Sequence, residues 1–279
     1  MANELADAIA NIREAWTVDF MKGSITQNVG SMYSHLYYGS LPSAISAPSP
    51  GIDGELISSY SYSGGLSLWP GALKLPRING GERLARVQVQ ATLAGVFYIL
   101  HRLWHNSGIS VTTTGAQAIS SGTFGDEFEG AYAALECSST TGNGAAISNT
   151  TISYTDINNG SGRTGTFGGS GSANGSIWTP NAQAGCTVPF LLQAGDTQIQ
   201  SIESISLGTS YVSGAVHLVM YRPVAILPIL RPYRTYMLDL ITSGFYKPSN
   251  YHLHTAFLSW SSGNVFYTGH IQTTGIGGV

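Results

Sequence analysis

Charge is what this chain has least of. Twelve Lys and Arg and fifteen Asp and Glu among 279 residues leave it 10% charged, where an ordinary globular domain carries about 25%. A surface so lean in ions must be built from hydroxyls, backbone and rings. The net charge of −3 and isoelectric point near 6.1 argue against nucleic acid as a partner, whose binders usually carry a basic patch or an isoelectric point above about 9. Long apolar runs are missing too. No stretch approaches the roughly 20 apolar residues of a membrane-spanning helix, and the start, acidic at Glu4 and Asp7, lacks the apolar run of a secretory signal. The expectation is a protein made in a cytoplasm, with no membrane partner. Cysteine is scarce. Cys137 and Cys186 read as two buried thiols, a disulfide being the lesser alternative in a reducing compartment.

Glycine, serine, threonine and tyrosine are abundant, with 35 Gly and 15 Tyr. Apolar runs at 188–193, 199–207 and 215–222 are separated by turn-rich segments, the pattern of three successive antiparallel strands, so a β-meander is expected there. Alternation puts Val216, Leu218 and Met220 toward a core, with His217 and Tyr221 toward something wetter or another layer. In the middle run Ile199, Ile202, Ile205 and Leu207 fall out of phase, which a bulge near 201–204 repairs. Residues 83–104 carry the longest continuous β signal, interrupted at Gly95. Further strands are read at 131–137 and 150–155, and a closing hairpin at 255–260 and 265–273.

The one convincing helix is N-terminal. Asn3 caps it, and Leu5, Ile9, Ile12 and Trp16 form its apolar stripe. Residues 23–50, rich in Ser, Gly, Tyr and Pro, read as an extended arm, and residues 56–75 as a hairpin. Pro223, Pro228 and Pro232 are expected to end regular pairing and begin a connector, followed by a short helix over 233–241. Residues 158–175 read as a Gly-rich loop or hairpin tip.

Candidate chemistry is sparse. His101, Trp104 and His105 close a strand, but no third ligand stands at metal-site spacing. His252 and His254 share a strand face, which two imidazoles do not turn into a metal site. Asp126, Glu127 and Glu129 offer oxygens for calcium without the spaced carboxylate loop, so a solvated loop is favoured. Glycine-rich 158–175 lacks the Gly-Lys-Ser/Thr of a phosphate loop, and Gly169-Ser170-Gly171-Ser172 lacks the strand–turn–helix setting of a nucleophile elbow. Carboxylates at Asp53, Glu55, Asp126, Glu127, Glu129 and Asp196 could still meet in space as a glycosidase pair. No catalytic residue, metal or cofactor is assigned.

Several motifs resemble a known group. The L-Q-A-G-D-T turn at 192–197, the Q-S-I strand, S-G-A-V-H-L-V at 213–219 and the following Y-R-P resemble structural proteins of tailed-bacteriophage virions, in particular capsid decoration (cement)-like proteins. R-L-W-H-N-S-G at 102–108, S-Y-T at 153–155 and G-R-T-G at 162–165 add to the resemblance, which spans roughly residues 80–230. It implies a non-catalytic virion protein, assembled in a host bacterial cytoplasm, that oligomerises, as a trimer in the simplest case, and grips the major capsid protein. A tail, neck or fibre component, with receptor or glycan binding, is the alternative.

The fold expected is mainly β, an antiparallel, jelly-roll-like β-sandwich with a short N-terminal helix and an extended arm. Its parts are a helix and arm over 1–50, a sandwich core over 51–230, and a connector and closing hairpin over 231–279. Trp16, Tyr33, Tyr37 and Tyr38 in the arm and Trp69 in its hairpin are the expected contact residues, because aromatic side chains anchor interfaces.

Overall fold

The apolar alternation in the sequence becomes strand almost everywhere. A computed structural model describes residues 17–41, 73, 84–119, 121–144, 149–167, 183–239 and 253–273, and among them fifteen strands and two short 3-10 turns but no α-helix. The expected helix before residue 17 and the hairpin at 56–75, apart from Leu73, lie outside the described residues.

Five strands form one antiparallel sheet. They are β1 (Thr17–Gln27), β3 (Ser40–Leu41), β4 (Leu84–Ala91), β13 (Thr235–Asp239) and β15 (Gly263–Thr273), in the order β13–β4–β15–β1–β3. The rest form a ten-stranded sheet: β2 (Met32–Ser34), β5 (Gly95–Asn106), β6 (Ala116–Ala118), β7 (Tyr132–Ser139), β8 (Thr151–Asp156), β9 (Gly160–Phe167), β10 (Cys186–Leu191), β11 (Ile199–Ser206), β12 (Ala215–Ile229) and β14 (Leu253–Ser259). Its order is β2–β14–β5–β12–β7–β10–β9–β8–β11–β6, and β2 also pairs with β10. That extra pairing closes six strands into an antiparallel barrel, so those six need no free edge.

Among the described residues, strand alternation sets out three core clusters. Leu100, Ala134, Val219, Tyr221, Ala256 and Met32 cluster inside the ring. Phe97, Ile99, Leu227 and Phe257, on the outer face of the ring, pack with Phe20, Val87, Val89 and Tyr267 of the five-stranded sheet. A third cluster joins Leu135, Val188, Leu218 and Met220 to Ile152, Tyr154, Ile199 and Ile205 of β8 and β11. The sheet therefore runs on past β10 and packs back over its own ring.

Several expectations change. The three central runs are strands, but they are not a meander: β7 lies between β12 and β10, and β9 and β8 lie between β10 and β11. The described part of that run, residues 84–104, falls in two strands of different sheets, turning at 92–94; Gly95 is needed because a Cβ there would lie 2.3 Å from the Leu258 carbonyl oxygen. The closing pair does not form a hairpin ladder, since β14 pairs with β2 and β5 while β15 pairs with β1 and β4. Pro223 and Pro228 do not end β12, which stays paired with β5 to Ile229; β7 leaves β12 after Tyr221, so one edge is open and a missing N–H costs nothing there. Residues 235–239 are strand β13 rather than helix, drawn into the ladder with β4. Residues 23–41 are not a free arm, because β1, β2 and β3 bind them into both sheets. The bulge expected near 201–204 is present as register shifts between Ile199 and Ser201 and between Ile202 and Ser204.

Candidate functional site

Two places merit a functional reading, one buried and one exposed. Inside the ring, Arg102 of β5 follows Leu100 on the inner face, Glu136 of β7 follows Ala134, and both are sealed from solvent. Arg102 Nη1 donates to Glu136 Oε1 at 2.6 Å and to the Tyr221 hydroxyl at 2.6 Å. Tyr37 donates to Glu136 Oε1 at 2.6 Å, and Tyr221 donates to Oε2. His254 lies against the Tyr221 ring with centroids 4.9 Å apart.

The charges decide what this cluster can do. Burial alone would raise the pKa of Glu136, but the Arg102 charge and the tyrosine hydroxyls outweigh it and hold the carboxyl at about 2. Burial, then the Glu136 charge, pushes the Tyr37 hydroxyl well up, and burial does the same to Tyr221. Burial brings His254 down to about 3. None of these groups is poised to exchange a proton near neutrality, which general acid–base work requires. The cluster is a structural tie between β5, β7, β12 and the 3-10 turn at His35–Tyr37.

The exposed place is one end of the molecule. Four connections there join the five-stranded sheet to the ring: 28–31, 92–94, 230–234 and 260–262. Hydrogen bonds tie them to one another and to the neighbouring strand ends. Gly30 N–H donates to the Ser259 carbonyl at 2.9 Å, Trp260 N–H to that of Ala94 at 3.1 Å, and Tyr233 N–H to that of Ala91 at 2.8 Å. Val29 N–H reaches Ser262 Oγ at 3.3 Å. On this pinned frame stand Trp260, Val29, Leu230 and Tyr233, with 46%, 59%, 63% and 69% of their surfaces exposed. Arg231 and Arg234 flank them, and none of the four connections contains a carboxylate.

A shallower feature lies on the outer face of the five-stranded sheet, where Asp19, Gln88, Gln90, Thr235, Thr268 and His270 line an open groove. Cross-strand register sets His270 opposite both Asp19 and Gln88, and Thr268 opposite Gln90. The face presents amides, hydroxyls, one imidazole and one carboxylate.

Three of the five residues expected as contacts are among the described residues. Tyr33 and Tyr37 are buried in their own fold, Tyr33 in the core beside β10 and Tyr37 on Glu136. Tyr38 is half-buried, its hydroxyl donating to the Ala184 carbonyl. Trp16 and Trp69 lie outside the described residues. His101, Trp104 and His105 are buried in β5, while Asp126 and Glu127 lie in a 3-10 turn that Phe128 anchors in the core, with Asp126 and the capping Glu129 exposed. Asp196 pairs with Arg163 at 2.6 Å and accepts from Tyr154 at 2.5 Å. Among the described residues no three His, Cys, Asp or Glu side chains are placed to hold a metal ion. Trp260 and Tyr233 were not singled out from the sequence, although each adjoins a turn, where a large ring has least backbone to cover it.

The chain matches no family model, no curated protein and no solved structure. What it does has to be read from its own surfaces.

Proposed function

We propose that this is a non-catalytic structural protein that works by contact within an assembled particle, in its most specific form a decoration protein of a tailed-phage head. The observation that carries the proposal is the apolar end bearing Val29, Leu230, Tyr233 and Trp260. Exposed apolar groups gathered at one place mark interaction surfaces more often than scattered ones do. Short turns tied to each other also lose little freedom on binding, so burial of the rings is not offset by ordering. The low charge and the motifs over 80–230 add the phage reading. The partners proposed are the major capsid protein and further copies of this chain, a trimer being the simplest symmetric arrangement, with the virion as location. Trp16 and Trp69 remain proposed contacts. The sandwich expected from the sequence also stays a proposal, with the five-stranded sheet as one layer and the flank of the ring as the other.

Copy number in purified particles, measured by quantitative mass spectrometry against the major capsid protein, is the test. Copies on the order of hundreds, tracking that protein, are expected of a symmetric decoration. A few tens or fewer would overturn decoration and leave a tail, neck or fibre part. The groove over Gln88, Gln90, Thr268 and His270 favours that second reading, since amides, hydroxyls and a carboxylate suit a polyhydroxylated glycan.

A further inference from the structure

Cys137 and Cys186 stand far apart in sequence and side by side in the fold. β7 and β10 run antiparallel with Val188 opposite Leu135 and Thr187 opposite Glu136, and one more step of that register sets Cys186 against Cys137. Gly185 donates its N–H to the Cys137 carbonyl at 2.7 Å and has φ +84°, so Gly185 and Cys186 form a glycine bulge facing Cys137. Both thiols turn to the same face, into the same core cluster, with no exposed surface. Directly opposed residues of antiparallel strands have Cα atoms about 4.5–5.5 Å apart. A disulfide spans about 4.4–6.8 Å.

We propose that Cys137 and Cys186 are a latent cross-strand disulfide, reduced in this structure and closed into a covalent clasp when the chain meets a low-molecular-weight disulfide. The thiolate of one cysteine attacks a sulfur of oxidised glutathione, forming a mixed disulfide and expelling one glutathione thiolate. The second protein thiolate attacks the protein sulfur of that mixed disulfide, the protein S–S bond forms, and the second glutathione leaves. Two protein thiols are oxidised, one glutathione disulfide is reduced to two thiols, and the two protein protons pass to the departing thiolates.

The position gives the clasp a consequence. Cys186 is the β10 residue opposite Tyr33 of β2, so the bond lies at the seam that closes the ring, and the same strand hands the sheet on to β9 two residues past Val188. Burial, and then the Cys186 neighbour, push the Cys137 thiol up and slow its attack in the folded state. The clasp therefore forms while the strands are still open, during folding or a transient breach of the seam, and once buried it is shielded from reductant.

The test uses the full chain, unfolded and then refolded in a buffer of oxidised and reduced glutathione, quenched with N-ethylmaleimide and weighed intact. The expected chain has lost two hydrogens, takes up no maleimide, yields a Cys137–Cys186 cross-linked peptide, and melts about 5–10 °C above the same sample after reduction. Cys186→Ala, refolded alongside, melts at one temperature in oxidising and reducing buffer. Two maleimides per chain after oxidative refolding, glutathione retained on either cysteine without the cross-link, or a redox-dependent melting temperature in Cys186→Ala would each overturn the proposal.

Discussion

Glu136 shows why single residues in this protein resist reading from sequence. It sits in the run A-L-E-C, where alternation marks it only as the partner face of Leu135. Its burial comes from closing the ring, a long-range event that brings Arg102, Tyr37 and Tyr221 to it. A buried pair adds little net stability over apolar packing, but removing one partner strands a charge. Glu136→Gln is therefore expected to cost about 3–5 kcal/mol in urea denaturation. Adding Arg102→Met should cost clearly less than the sum of the two single changes, because the second removes the stranded charge. Full additivity of the two would show that the residues act separately. Asp126, Glu127, Glu129 and Asp196, the carboxylates that stand out in the sequence, lie in polar segments where burial has no local cue. His217 and Tyr221 fall on the face opposite Val216, Leu218 and Met220 in sequence and structure alike, since period-two alternation is a local property.

At the scale of elements, the strands of the central region are legible, but β2 and β3 read as an arm, β9 as a glycine-rich loop and β13 as a helix, and no strand's partner is written locally. Residues 199–206 were read with their bulge, because an apolar phase slip is written in the run itself. Which strand lies beside which depends on contacts far along the chain. Thus 253–259 and 263–273, joined by only a short turn, enter different sheets. β2 shows how much can depend on a short element: three residues close the ring, pairing with β14 on one edge and β10 on the other. Its seam rests on Gly185, whose carbonyl accepts from Ser34 N–H at 2.7 Å. A Cβ at Gly185 would lie 2.4 Å from the Ser34 carbonyl oxygen, at a φ of +84° that side chains rarely adopt. Gly185→Ala should destabilise by about 2 kcal/mol or more, with hydrogen exchange rising first at β2 and its neighbours on β10 and β14. Unchanged exchange at β2 would mean that the seam does not depend on this glycine.

For the whole molecule, the same burial predicts acid sensitivity. Five of the seven histidines, at positions 35, 101, 105, 217 and 254, are buried. Burial holds His217 at about 4, His254 at about 3 and His105 at about 2, against an ordinary 6.5, and lowers His35 well below that value. The unfolded chain takes up these protons first. The stability is thus fully present above pH 6.5 and falls as pH drops below it, by about 1.4 kcal/mol per pH unit for each histidine not yet protonated in the fold. Glu136 adds a further loss between 4.5 and about 2. Circular dichroism against pH should show stability flat near neutrality and cooperative unfolding on acidification; equal denaturant midpoints at pH 7 and 5 would contradict the assignment of neutral, buried imidazoles.

The contact surface proposed for the molecule is its turn end. Trp260→Ser with Tyr233→Ser removes two exposed rings and should leave the melting temperature within a few degrees while abolishing attachment to particles, since exposed side chains contribute little to folding. Hydroxyl-radical footprinting of the chain in purified particles, set against the isolated chain, tests this most directly. Trp260 and Tyr233 should lose oxidation several-fold on assembly, while Leu191, 53% exposed at the end of β10, keeps it. Oxidation of Trp260 and Tyr233 that is the same in particle and isolated chain would show that this end is not the contact surface.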